Sequence, residues 1–159
     1  MAAYNFLSTW CVAAPVQQVW EVLSDPVRYP EWWKGVRSAR VLERGQEGER
    51  GVGTLYRLRW RSRLPYSLSF DSRVTRVEAP HLLSGQASGE IEGVGVWRLF
   101  EGPAGTAAIY SWNVSTTRAW MNAAGPLARP VFAWNHDAVM RQGAAGLAER
   151  LGAELVARS

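Results

Sequence analysis

Residues 4–33 read YNFLSTWCVAAPVQQVWEVLSDPVRYPEWW, and prolines at 15, 26 and 30 divide the stretch into pieces of different period. Over 4–13, Phe6, Ser8, Trp10 and Val12 share one parity, the pattern of a strand with an aromatic face. Pro15 ends that strand and suits the first turn of a helix, where its missing N–H would have had no intrahelical partner. Val16, Val19, Trp20 and Leu23 then recur at helical spacing up to Ser24. Asp25-Pro26 reads as an N-cap followed by an N1 proline opening a second short helix, which Pro30 interrupts before Trp32-Trp33. The predicted start of the chain is therefore one strand followed by two short helices.

Downstream the period changes to two. Strands are predicted at 36–44, 52–62, 66–78, 81–90, 91–101 and 106–117, separated by Gly45 to Gly53, Pro65, Ala79-Pro80, Gly93 and the run Gly102-Pro103-Ala104-Gly105. Connections this short imply an antiparallel meander, because a parallel pair needs a crossover of a dozen or more residues. Tyr56, Leu58 and Trp60 alternate with Arg57, Arg59 and Arg61. Leu68 and Phe70 follow Tyr66 in alternation with Ser67, Ser69 and Asp71, while Tyr110, Trp112 and Val114 alternate with Ser111, Asn113 and Ser115. One face is apolar and aromatic and the other polar, so the sheet is covered on one side only.

Gly125, Pro126 and Pro130 make 118–130 read as a loop with at most one helical turn. Beyond Pro130, Phe132, His136, Val139, Met140, Gly143, Leu147, Leu151 and Leu155 recur every three or four residues. That predicts a helix of about 25 residues, long enough at about 1.5 Å per residue to cross a sheet. The expected fold is α+β, a single domain over 1–159: a seven-stranded antiparallel sheet, two short helices after its first strand and one long C-terminal helix.

Composition narrows the function. The 159 residues are 47% hydrophobic and 20% charged, ordinary for one globular domain. A net charge of +4 comes from basic residues that are all Arg except Lys34 and are scattered rather than blocked, which argues against a nucleic-acid footprint. No run approaches the length of a membrane span and the first residues lack a basic leader, so stable membrane insertion is not expected and the cytoplasm is. Cys11 alone cannot form an internal disulfide, and His81 and His136 are too few for a multi-histidine metal centre; no metal or other cofactor is expected.

The strings STWCVAAPVQQVWEVLSDPVRYPEWW (8–33), RVTRVEAPHLLSGQASGEIEGVGVWRL (73–99) and PVFAWNHDAVMRQGAAGLAERL (130–151) resemble the Bet v 1-like/START (SRPBCC) superfamily over essentially the whole chain. They are most similar to its polyketide cyclase/dehydrase and lipid-transport branch. The resemblance implies a helix-grip fold, with the sheet curled round the long helix and a cavity between them. Strand parity then names its lining: Trp10, Tyr56, Leu58, Trp60, Tyr66, Leu68, Phe70, Trp97, Leu99, Tyr110, Trp112 and Val114, with Phe132, His136 and Met140 from the helix. A hydrophobic small molecule, aromatic or isoprenoid-like, is the expected partner; the alternative to a cavity is that large side chains simply fill the interior.

Three constellations carry alternatives. His136 shares the helical stripe with Phe132 and Met140, so it faces the sheet, either as a general acid or base or as a buried neutral histidine with a hydrogen-bond partner. Asp137, turned away, is expected to pair with Arg141. If the chain is an enzyme, the cyclase/dehydrase resemblance implies that the cavity folds a polycarbonyl substrate while His136, Tyr66 or Tyr110 moves a proton or polarises a carbonyl. Ser8 and Thr116 share the inward parity and could anchor a ligand's polar end or bond a neighbouring strand. The row Arg57, Arg59, Arg61 and Arg63, with Arg73 and Arg76, is either the solvated face of the sheet or a surface for acidic lipid headgroups, RNA or a partner protein.

Overall fold

The computed structural model describes residues 3–46, 50–61, 67–117 and 119–159; Arg63 and Tyr66 lie outside them. The chain runs β1 (Ala3–Val12), α1 (Val16–Leu23), a 3-10 turn (Pro26–Arg28), α2 (Tyr29–Trp32), β2 (Val36–Glu43), β3 (Leu55–Arg61), β4 (Ser67–Glu78), β5 (Leu82–Gly89), β6 (Ile91–Gly102), β7 (Gly105–Thr116), α3 (Ala119–Leu151) and β8 (Leu155–Arg158). One antiparallel sheet takes every strand in the order β2-β3-β4-β5-β6-β7-β1-β8. The short helices carry the chain from β1 to the far edge, where the meander from β2 to β7 begins and returns it to β1. In β7, Ala108, Val114 and Thr116 are buried while Asn113 is exposed, as alternation requires.

Two expectations are corrected at the long helix. Residues 119–130 are helical rather than a loop, despite two prolines whose missing N–H groups weaken a helix interior. Tertiary contacts hold these turns: Thr116 Oγ1 donates to Asn122 Oδ1 at 2.6 Å, the Arg129 guanidinium lies 5.2 Å from the Tyr4 ring centre, and Ala128 packs against the buried cluster that contains Tyr4, Phe70 and Val114. At the other end the helix stops at Leu151 rather than running through Leu155. Gly152 takes φ +60°, its N–H donates to the Glu149 carbonyl at 3.1 Å, and Ala153 N–H reaches the Ala148 carbonyl at 2.9 Å. That is a Schellman cap, which a side chain at 152 would strain. The freed residues 155–158 pair with β1 and make the sheet eight-stranded rather than seven.

The two halves of α3 stand at different depths over the sheet. Gly143, Ala144, Gly146, Leu147 and Ala148 let the C-terminal half press against Trp10, Trp32 and Trp33; a Cβ on Gly143 would lie 2.6 Å from both the Trp10 and Trp33 rings. The preceding turns carry Phe132, Asn135, His136 and Val139, which face a space between the helix and the sheet. Close packing below and stand-off above leave an internal space at one end. On the outer face, Arg57 meets Asp71 at 2.8 Å, Arg73 meets Glu43 at 2.7 Å and Arg76 meets Glu78 at 2.9 Å.

Candidate functional site

Between the inner sheet face and the middle turns of α3, from Phe132 to Met140, lies a cavity of about 220 Å³. Tyr56, Leu58 and Trp60 line it from β3, Leu68 and Phe70 from β4, Trp97 from β6, Tyr110, Trp112 and Val114 from β7, and Phe132, His136 and Met140 from α3. Twelve residues named from parity and helical spacing are thus brought to one space. Trp10 and Leu99 are not among them: both are about 1% exposed in the solid core beneath the close half of α3. Parity gives the face of a strand but not the depth at which the helix crosses it. Ser8 is buried away from the cavity, whereas Thr116 reaches its wall with the hydroxyl already donated to Asn122.

The wall also contains residues that sequence reasoning missed. Tyr4 and Phe6 enter from β1 on the parity of Trp10, and Asn135 and Val139 share the α3 face of Phe132 and His136. Those signals were present in the chain. Ser72 and Gly95 share the inward parity of Phe70 and Trp97, but as a polar and a side-chain-free residue they give no apolar signal, and Trp33 and Gly85, the partner of Gly95 across the strands, carry none either. At Gly95 a Cβ would collide with the Tyr110 hydroxyl and crowd the Trp112 ring, and at Gly85 it would come within 2.8 Å of Ser72 Oγ. These glycines form a shallow floor across which the rings of β7 lie.

The rings form a continuous set. Trp60 meets Trp33 edge-on at 4.9 Å and stacks on Phe70 at 6.4 Å; Tyr110 lies 4.5 Å from Trp97 and 5.8 Å from Trp112. Such offset and edge contacts contribute about 0.5–1.5 kcal/mol per pair beyond area burial and fix ring orientation. Burial raises Tyr110 well above the ordinary phenol range, so its hydroxyl stays protonated and keeps a proton to donate.

His136 stacks on Phe6 with centroids 4.0 Å apart and planes 11° apart. Desolvation lowers its pKa to about 4, and the Asp137 carboxylate, 3.9 Å from Nδ1, opposes that shift only in part because it is 61% exposed. His136 is therefore neutral at pH 7. Asp137 sits beside His136 instead of forming the expected pair with Arg141. The imidazole Nδ1, Tyr4 OH, Trp60 Nε1 and Asn135 Oδ1 are buried without a protein hydrogen-bond partner, each at a cost of about 1–3 kcal/mol. Among the described residues no three His, Cys, Asp or Glu side chains gather where they could hold a metal ion, and no helix is long and apolar enough to cross a membrane.

The family model described as polyketide cyclase/dehydrase and lipid transport matches residues 8–152. The chain belongs to this family. No curated protein sequence matches it. Among solved structures, the ZhuI aromatase/cyclase from Streptomyces sp. R1128 is similar at a TM-score of 0.72 and 21% identity, covering 94% of this chain and 96% of that one. A START superfamily protein from Mycobacterium smegmatis gives 0.69 at 17% identity over 95% and 96% of the two chains. Ara h 8.0201 gives 0.67 at 13% identity, covering 95% of this chain and 99% of that one. This member of the polyketide cyclase/dehydrase family thus has a helix-grip fold, which it shares with those structures. Membership supports a hydrophobic-ligand-binding or cyclase-type role.

Proposed function

We propose that this protein binds a flat, aromatic small molecule in the cavity between the sheet and α3 and acts in the cytoplasm as its carrier or sensor. The supporting observation is the cavity itself: an apolar space walled by aromatic rings whose orientations are fixed by mutual contact. Its volume of about 220 Å³ falls below the ~300–1,000 Å³ of most ligand pockets. A ligand of two or three fused rings suits that volume better than a long isoprenoid or acyl chain.

Tryptophan emission tests the reading, since Trp33, Trp60, Trp97 and Trp112 line the space. Titration with flat polycyclic phenols and quinones is expected to quench it. Trp112→Ala should weaken binding about tenfold, roughly 1.4 kcal/mol, through lost ring contact. Arg59→Ala, on the outer face, should leave affinity unchanged. Absence of quenching across such a panel, or an equal loss at Arg59, would count for a surface partner instead. The carboxylate pairing of Arg57, Arg73 and Arg76 supports a solvated outer face.

A cyclase-type reading draws on the polar groups facing the cavity. Tyr110 is protonated and suited to polarising a carbonyl, whereas His136, with a pKa of about 4, is a weak base at pH 7. Tyr66, the third candidate, belongs to the residues left undescribed. Orientation within the cavity would then supply most of the rate, and recovering the ligand after incubation separates the readings: a carrier returns it unchanged.

A further inference from the structure

Among the described residues five buried side-chain polar atoms lack a protein hydrogen-bond partner, and four of them belong to residues lining this one cavity. Native interiors pair such groups with few exceptions, so their concentration around a single space calls for a cause located in that space. Trp60 and Asn135 carry the most specific information. Trp33 and Trp60 are neighbouring indoles in edge-to-face contact, yet Trp33 Nε1 donates to the Val139 carbonyl at 2.9 Å while Trp60 Nε1 has no acceptor. The Trp60 ring cannot easily turn to find one, because Trp33 meets it edge-on and Phe70 lies parallel to it.

Asn135 lies one turn before Val139 on the cavity face of α3. Val139 and the Trp60 ring both border Gly35, at 3.2 and 3.7 Å from where its Cβ would be, so Trp60 meets α3 one turn beyond Asn135, and both residues line the cavity. An indole N–H only donates, whereas an amide oxygen only accepts. A hydrocarbon, an isoprenoid or an acyl chain would leave both atoms buried and unanswered. A phenol oxygen can accept from one and donate to the other.

We propose that Trp60 Nε1 and Asn135 Oδ1 are the specificity-determining pair of this cavity, selecting hydroxylated flat aromatic ligands over unsubstituted ones of the same shape. The proposal rests on the reading of the cavity as a small-molecule site and adds the chemistry that the occupant carries. Tyr4 OH and His136 Nδ1, further along the same wall, offer additional contacts to an oxygen-rich ligand.

The test is a cycle between ligand and protein. 2,6-Dihydroxynaphthalene and 2,6-dimethylnaphthalene have matched shapes and differ in hydrogen bonding. Their affinities are measured by calorimetry on the wild type, on Trp60→Phe, which keeps an aromatic ring without the N–H, and on Asn135→Leu, which keeps the bulk without the amide. Each variant is expected to lose about tenfold in affinity for the diol, the scale of one hydrogen bond, and to stay within about twofold for the dimethyl compound. Equal losses for both ligands, or none for the diol in either variant, would overturn the pair as the recognising groups while leaving the cavity reading intact. Failure of the wild type to bind either compound would overturn the cavity reading and the pair with it. Thermal unfolding of each variant confirms that the comparison is made on folded protein.

Discussion

Gly146→Ala is expected to destabilise this protein by about 3 kcal/mol, the upper end of ordinary overpacking, although Ala is the better helix former by about 0.5–1 kcal/mol. The reason is local. A Cβ at 146 would run into the Trp32 carbonyl oxygen and lie 3.0 Å from its carbon, and these are backbone atoms that no rotamer change can move aside. Relieving the clash would lift α3 from α2 and disturb the packing of Trp10 and Trp33 beneath the next turn, at Gly143. Gly102→Ala is the control, because nothing lies within 4 Å of that Cβ. Denaturant unfolding of the two variants checks the expectation; a Gly146→Ala protein as stable as the wild type would mean that the close half of α3 is not close.

Stability should also fall steeply with acid, and His136 should account for much of it. Its pKa is lowered from 6.5 to about 4 by burial against Phe6, with only the exposed Asp137 carboxylate opposing, and its side chain is 14% exposed. Above pH 6.5 the residue is neutral in both folded and unfolded states and takes nothing from stability. Between pH 6.5 and 4 the unfolded chain binds a proton that the folded chain does not. Stability is lost across that window, by about 3 kcal/mol in total. In His136→Gln this part of the loss should vanish, leaving the carboxylate contribution at lower pH. Unfolding free energies of both proteins at pH 7, 5.5 and 4.5 test the sign as well as the size. A wild type and variant with parallel pH profiles would place His136 in water rather than against Phe6.

Alternation made the sheet readable. Tyr110, Trp112 and Val114 against Ser111, Asn113 and Ser115 leave only one way to seat the strand, and the structure seats it so. The helix boundaries were harder to read, because Pro126 and Pro130 locally oppose a helix that contacts with Tyr4 and Thr116 sustain, and Leu155 continues a helical spacing that Gly152 has already ended. The site was legible by face but not by depth. Trp10 and Leu99 have inward parity like Trp60 and Trp112, yet they lie where Gly143 and its neighbours bring α3 down onto the sheet. Tyr4 and Phe6, on the same parity, lie where the helix stands off. Such depth depends on contacts between residues more than a hundred positions apart, which no local period records.

The claim that this cavity is where a ligand sits is tested most directly by filling it. Gly95→Leu would place a branched side chain where the Tyr110 hydroxyl and Trp112 ring now lie over bare backbone, entering the space from the sheet side while leaving the outer face and the α2–α3 contact untouched. The measurement is calorimetric titration of 2,6-dihydroxynaphthalene into wild type and Gly95→Leu, after circular dichroism has shown that both are folded. The wild type should bind one molecule per chain and the folded variant should lose at least tenfold in affinity; equal binding by the two proteins would contradict the account and place the ligand elsewhere on the molecule.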